Sequence, residues 1–351
     1  MSCSVCRLPF VPDLSIATQA IPAHTPPKGV LSKEQAKYFM TGTGVGKEIL
    51  DCVMKFRYFS SNMFGASGCI VLIWDVEEWD PLGGTTLIAH HVCFALLRHI
   101  LHADDSTPAS ITTLCAHDLI LGCPQSGANA GRFRDVKYED AGERVDLSRF
   151  WRVSSVPGGN VFDWVALKAS PLAWTMNRPD IFPRFHPVLS AERLASVGLP
   201  TPDPADLINT LPLELTLQIL PLLSAKSYLA LTSTCRALRW HALTTFQPHA
   251  RASSSRCRGL SRRRADATGD WLLYLAHVHR TQSMRVRRWV WALCEEIRRV
   301  WLRKLPGSGF ADLGEGVKSA ARIELERDVN TKIEVAKEMR RANGFRKGGP
   351  Y

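Results

Sequence analysis

Two pairs of residues in this sequence have the types and spacing to hold a metal ion. Cys3 and Cys6, in "CSVC", stand at the interval that lets two thiolates reach one cation from a tight turn. His90 and Cys93, in "HHVC", are three residues apart, which on a helix puts both on one face. Together they would complete a tetrahedron of three sulfurs and one nitrogen, a donor set suited to structural Zn²⁺. His91 is an alternative nitrogen ligand, and Cys115, His117 and Cys123 could compete for the same ion. The competing reading is ordinary core, because free cysteine is among the most buried residue types and Cys93 neighbours Phe94 and Leu97.

Other chemistry is poorly supported. "TGTGVGKE", Thr41 to Glu48, suggests a phosphate-cradling loop, but Thr41 stands where the first glycine is needed. Glu48 stands where a hydroxyl should meet Mg²⁺. No nucleophile elbow, zinc-protease helix or paired-carboxylate arrangement is present, so the expectation is a protein that is not an enzyme.

A second kind of site is an apolar one. In "LPLELTLQILPLL", residues 211 to 223, Pro212 suits a first helical position and Pro221 must bend or end the helix. On the turns between them Leu215 and Ile219 share one face, while Leu213, Leu217 and Leu220 lie nearly opposite. A helix apolar on both faces must be covered on both, so something besides its own domain is expected to cover it. The next segment, "YLALTSTCRALRWHA", repeats Tyr228, Leu231, Cys235, Leu238 and Ala242 at helical spacing behind Ser224 or Ser227 as N-cap. The pair reads as a helical hairpin.

The surrounding elements divide the chain. Residues 1–178 mix a strand-like "SGCIVLIWDV" with "TTLIAHHVCFALLRHIL", whose spacing predicts a helix, so an α+β N-terminal domain is expected. Six prolines between 179 and 206 predict a linker. The hairpin occupies 207–243, and an arginine- and serine-rich stretch at 251–268 reads as a basic loop. A helical C-terminal region at 269–342 completes a mostly α-helical C-terminal half. Asp270 is its first N-cap, Val290, Leu293, Ile297 and Trp301 line one face, and a last helix covers roughly 315–341.

The net charge is +11, of which residues 251–304 carry +10. Clustered arginine could meet nucleic acid, but Trp289, Trp291 and Trp301 lie in helical patterns and read as packing residues, not base-stacking platforms. The longest apolar runs are about a third of the ~20 residues needed to cross a bilayer, and no secretory leader is recognisable. An intracellular protein with reduced thiols is expected.

Residues 211 to 236 resemble the F-box. Leu211, Pro212 and Glu214 match its Leu-Pro-x-Glu opening, and Ile219 and Leu220 its Ile-Leu pair. Leu223, Leu229, Leu231, Cys235 and Arg236 match the leucine-rich helix and its Cys-Arg ending. Thr216, Ser227 and Leu238 depart from the pattern without adding charge. The wider layout resembles fungal F-box proteins with an N-terminal CxxC, a Gly-Gly followed by HxxC (here Gly83, Gly84, His90 and Cys93) and a Trp-rich helical tail. The resemblance implies docking on the S-phase-kinase-associated adaptor of an SCF-type cullin-RING ubiquitin ligase, through Leu211, Pro212, Leu215, Ile219, Leu220, Leu229 and Leu231. It implies a substrate receptor that recruits an unknown protein target in cytoplasm or nucleus and requires no cofactor; the spacing of Cys3, Cys6, His90 and Cys93 separately allows a structural zinc. The competing function is a metal-stabilised or nucleic-acid-binding module in which the leucine hairpin is only core.

Overall fold

The structure is a computed structural model that describes residues 2–11, 25–46, 53–58, 71–74, 85–101, 133, 136–153, 160–198, 211–257, 259 and 268–304. These residues are mostly helical, with small antiparallel sheets. They fall into two compact units, Met1–Met176 together with Trp289–Tyr351, and Asn177–Arg288. The first division lies near the expected boundary at 178. The second cuts through a single helix, so the expected C-terminal region is shared between units.

In the first unit, helix α1 (Lys33–Met40) begins at a capping box: the Ser32 hydroxyl accepts from Gln35 N–H, and the Gln35 side chain accepts from Ser32 N–H. It runs into β1 (Thr41–Gly46), which pairs antiparallel with both β2 (Val53–Tyr58) and β4 (Thr85–His90), while β3 (Val71–Trp74) pairs with β2. The glycine-rich "TGTGVG" is therefore an inner strand of a four-stranded sheet in the order β3-β2-β1-β4. Lys47 and Glu48 lie outside the described residues.

The segment expected as one helix from Thr85 is a strand to His90 and then helix α2 (His91–Leu101). β-branched Thr85, Thr86 and Ile88 favour an extended chain, and β1 supplies its ladder partner. Helix α2 buries Cys93, Phe94, Leu96, Leu97, Ile100 and Leu101. A two-stranded ribbon, β5 (Trp151–Val153) and β6 (Asn160–Phe162), leads into α3 (Trp164–Ala169), capped by Asp163. Trp164 packs its ring 4.9 Å from Phe162 and 5.4 Å from Phe39.

The second unit is helical: α4 (Ala191–Val197), α5 (Leu213–Ile219), α6 (Ala225–Leu231), α7 (Arg236–Leu243), α8 (Gln247–Arg256), α9 (Trp271–Arg280) and the first residues of α10 (Gln282–Lys304). Its core joins Phe185, Leu220, Tyr228, Leu238, Phe246, Trp271 and Leu275. Phe185 and Val197 belong to that core, and Phe182, Leu189 and Leu194 pack on it. Much of the segment expected as a linker is thus structural. Asp270 caps α9 by accepting from Leu273 N–H at 2.8 Å, and its other oxygen meets Arg193 Nε at 2.9 Å. Gly269 precedes it with φ +131°, and a Cβ there would fall 2.4 Å from the Phe185 ring.

Two further expectations are corrected. The hairpin's second arm is two helices, because "TST" turns its hydroxyls back onto the carbonyls of Leu229 and Leu231, and Cys235 starts α7 as N-cap. The basic loop is helical over its first residues, where α8 extends through Arg256. The expected helix at 315–341 and residues 260–267 of the expected basic loop lie outside the described residues.

Candidate metal centre and docking surface

Residues 2–11 are all buried and fold into a tight knuckle. Cys3 N–H donates to Leu8 O and Arg7 N–H to Cys3 O, both at 2.9 Å, and Ser2 bridges Pro9. Arg7 closes the turn with φ +66°, a left-handed conformation uncommon outside glycine. Tyr138 fastens the knuckle by donating to Ser4 O at 2.6 Å, with the Arg7 guanidinium over its ring.

The knuckle places Cys3 and Cys6 against the junction of β4 and α2. His90 ends the strand, and Cys93 lies in the first turn of the helix; they converge across that junction, not along one helical face as their spacing suggested. Cys3, Cys6, His90 and Cys93 are 0–2 % exposed, and their ligand atoms all lie within 4.8 Å of one another. They could hold a metal ion. Cys6 Sγ is 3.4 Å from His90 Nδ1. In a tetrahedron with bonds of about 2.3 Å to sulfur and 2.0–2.1 Å to nitrogen, that edge would be about 3.6 Å and a sulfur–sulfur edge about 3.8 Å. The Cys6–His90 edge already has the length an ion requires, and the longest edge, at most 4.8 Å, would close by no more than about 1 Å. It is the one such group among the described residues; His91 stays out of it, and Cys115, His117 and Cys123 lie outside them.

The electrostatics point the same way. Burial pushes the Cys3 thiol up, but hydrogen bonds with Cys6 and Cys93 and the nearby His90 outweigh it, leaving Cys3 well below its ordinary value. Cys6 is pushed up by burial and by its hydrogen bond with Cys3, and Cys93 by its hydrogen bonds with Cys3 and Cys6 and by burial. Without a cation, one thiolate excludes the others. A divalent ion would remove that conflict, since thiolate is the ligating form. The His90 ring sits 4.4 Å from Phe10 and 5.2 Å from both Tyr38 and Phe39. Its Nε2 has no hydrogen-bond partner among the described residues, so aromatic packing and the Nδ1 contact with Cys6 orient this ring.

The leucine helix α5 presents a different kind of site. Along it only Thr216 and, just past its end, Leu220 are buried. Leu211, Leu213, Leu215, Leu217, Ile219 and Leu222 are 36–83 % exposed, and only three other large apolar residues among those described are so exposed. The helix rests on its unit through one narrow line and leaves both apolar faces uncovered. Pro212 is its exposed N-cap, and Pro221 sits in a 3₁₀ turn that ends it.

The residues expected to meet a partner therefore separate. Leu211, Pro212, Leu215 and Ile219 lie on the surface. Leu220, 1 % exposed, is a core residue in this structure and cannot be a surface anchor; Leu229 and Leu231 are half-buried and pack on the core of their own unit. Leu213, Leu217 and Leu222, outside the expected anchors, are exposed. Burial of Thr216 made the difference: a hydroxyl that bonds back to Pro212 O could occupy the supporting line, turning the leucines outward. No family model matches the chain, and no curated protein or solved structure matches it.

Proposed function

We propose that the chain is an F-box-type substrate receptor. It docks through α5 on the S-phase-kinase-associated adaptor of a cullin-RING ubiquitin ligase and recruits a protein target. The observation that carries this reading is the concentration of exposed large apolar residues on Leu211–Leu222, where water contact has no structural use within the unit. An amphipathic helix entering an apolar groove recovers that surface, with a few central anchors supplying most of the affinity. The same exposure weighs against the leucine segment being only internal core. The receptor works without a catalytic residue, since holding a target lysine near a reactive thioester accelerates transfer by proximity.

We read the ion of the Cys3, Cys6, His90 and Cys93 cluster as structural Zn²⁺, because three sulfurs and an imidazole nitrogen suit that cation and the burial of all four leaves no open position for a substrate. It would staple the knuckle to β4 and α2.

The test is recovery of purified adaptor by the full chain and by Leu215→Ala/Ile219→Ala. Truncating two anchors should cost about 2–4 kcal/mol, a loss of roughly 30- to 1000-fold in affinity. Val188→Ala, exposed elsewhere in the same unit, serves as control. Equal recovery by the double variant and the control, or none by any form, rules the reading out.

A further inference from the structure

Three donors are aimed at the three sulfurs of the cluster. His90 N–H donates to Cys3 Sγ at 3.4 Å. The Leu8 backbone, whose C=O closes the knuckle by accepting from Cys3 N–H, turns its own N–H to Cys6. Tyr38 Oη lies 3.6 Å from Cys93 Sγ. A neutral thiol sulfur is a poor acceptor, whereas a thiolate is a good one. One donor for each sulfur is the arrangement expected around three bound thiolates. Two of the donors are backbone groups; Tyr38 is the one supplied by a side chain.

The fold holds Tyr38 in place for this. Helix α1 is fixed at its start by the Ser32–Gln35 capping box, and Gln35 Nε2 donates to Met176 O at 3.0 Å. At its other end Val11 N–H donates to Phe39 O at 3.0 Å, tying α1 to the segment that carries Cys3 and Cys6. The Tyr38 ring lies 4.9 Å from Phe39 and 5.2 Å from His90. Its hydroxyl is thus carried to Cys93 by an element that contributes no ligand.

We propose that Tyr38 is an outer-shell positioning residue of the metal centre: its hydroxyl donates to the Cys93 thiolate and governs how long the ion is retained. This rests on the zinc reading above. Withdrawing electron density from the sulfur makes Cys93 less open to protonation and to electrophiles while it stays bound. No bond to the metal changes. Partners of this kind typically alter metal retention by about 10- to 100-fold.

The test uses the full chain and Tyr38→Phe, which keeps the ring and removes only the oxygen. Both are loaded with one equivalent of Zn²⁺, and release to excess chromogenic chelator is timed. Both are also loaded with Co²⁺ and the thiolate-to-metal charge-transfer band recorded. The expected result is unchanged stoichiometry, release at least about tenfold faster and a charge-transfer band shifted to lower energy, because the undonated thiolate is more electron-rich. A merely structural role for Tyr38 would leave the band in place. A second measurement needs no substitution by another residue type: chain grown with 3-fluorotyrosine, a stronger donor, should release Zn²⁺ more slowly and shift the band to higher energy. Unchanged release and band in both the variant and the fluorinated chain overturn the Tyr38 assignment while leaving zinc standing. A wild-type chain that takes up no Zn²⁺ with its thiols reduced overturns both.

Discussion

Stripping the metal, or replacing Cys93 by Ser, should loosen the first unit far more than the loss of one side chain would. The ion links the knuckle to the β4–α2 junction, and the shortest such link, Cys6 to His90, spans 84 positions. Treated as a cross-link closing a loop of that length, it removes chain entropy worth about 4–5 kcal/mol from the unfolded ensemble. Domains are stable by only about 5–15 kcal/mol, so this is a large share of the total. At roughly 2–4 °C per kcal/mol for a unit of this size, the melting temperature should fall by about 10–20 °C. Calorimetry of the zinc-loaded chain, the chelated chain under reductant and Cys93→Ser measures it. Trypsin gives a local readout, because Arg7 is only 7 % exposed inside the knuckle. It should resist cleavage when the ion is bound and be cut early when it is removed. Melting temperatures within about 2 °C of one another, with Arg7 equally protected in all three samples, would refute the staple.

The remaining predictions concern the helical unit. Leu220→Ala, deleting a fully buried side chain beside the exposed leucines, should destabilise by about 2–5 kcal/mol in denaturant titration, whereas Leu215→Ala should change stability by less than about 0.5 kcal/mol. Asp270→Ala removes both the α9 cap and the partner of Arg193, at a cost of about 2–3 kcal/mol after allowing for the part-exposed arginine; Asp270→Asn, which keeps a capping oxygen, should recover part of it. His249 and His279 are both held below the ordinary imidazole value, first by burial and then by Arg256 and Arg288 respectively. The folded state therefore binds fewer protons than the unfolded one. The stability they contribute is complete above about pH 6.5 and is lost as pH falls through their lowered values. The melting temperature should drop between pH 7.5 and 5.5, and His249→Gln/His279→Gln should flatten that slope; a flat wild-type profile counts against it.

Local chemistry made some of this legible. The C-x2-C and HxxC intervals singled out the four clustered side chains, Asp270 and Ser224 are N-caps as their positions suggested, and Pro221 ends α5 by denying a backbone donor. What escaped depends on distant partners. Thr85 to His90 carries helical spacing, yet it becomes a strand because β1, some forty residues earlier, offers a ladder. Helix α8 was hidden because its buried face is Ala250, Ser253 and Ser254, too small and polar to register as an apolar stripe. Leu220 and Leu215 are the same residue type one and a half turns apart, and nothing local says which one the core will take.

The exposed leucines of α5 also bear on how the chain exists in a cell. A segment that keeps six large apolar side chains in water is adhesive toward other copies and a target for chaperones. Chain made in excess of whatever covers that helix should precipitate or be degraded. Its steady amount would then be set by supply of the covering partner more than by its own synthesis, and soluble yield should rise when the two are co-expressed.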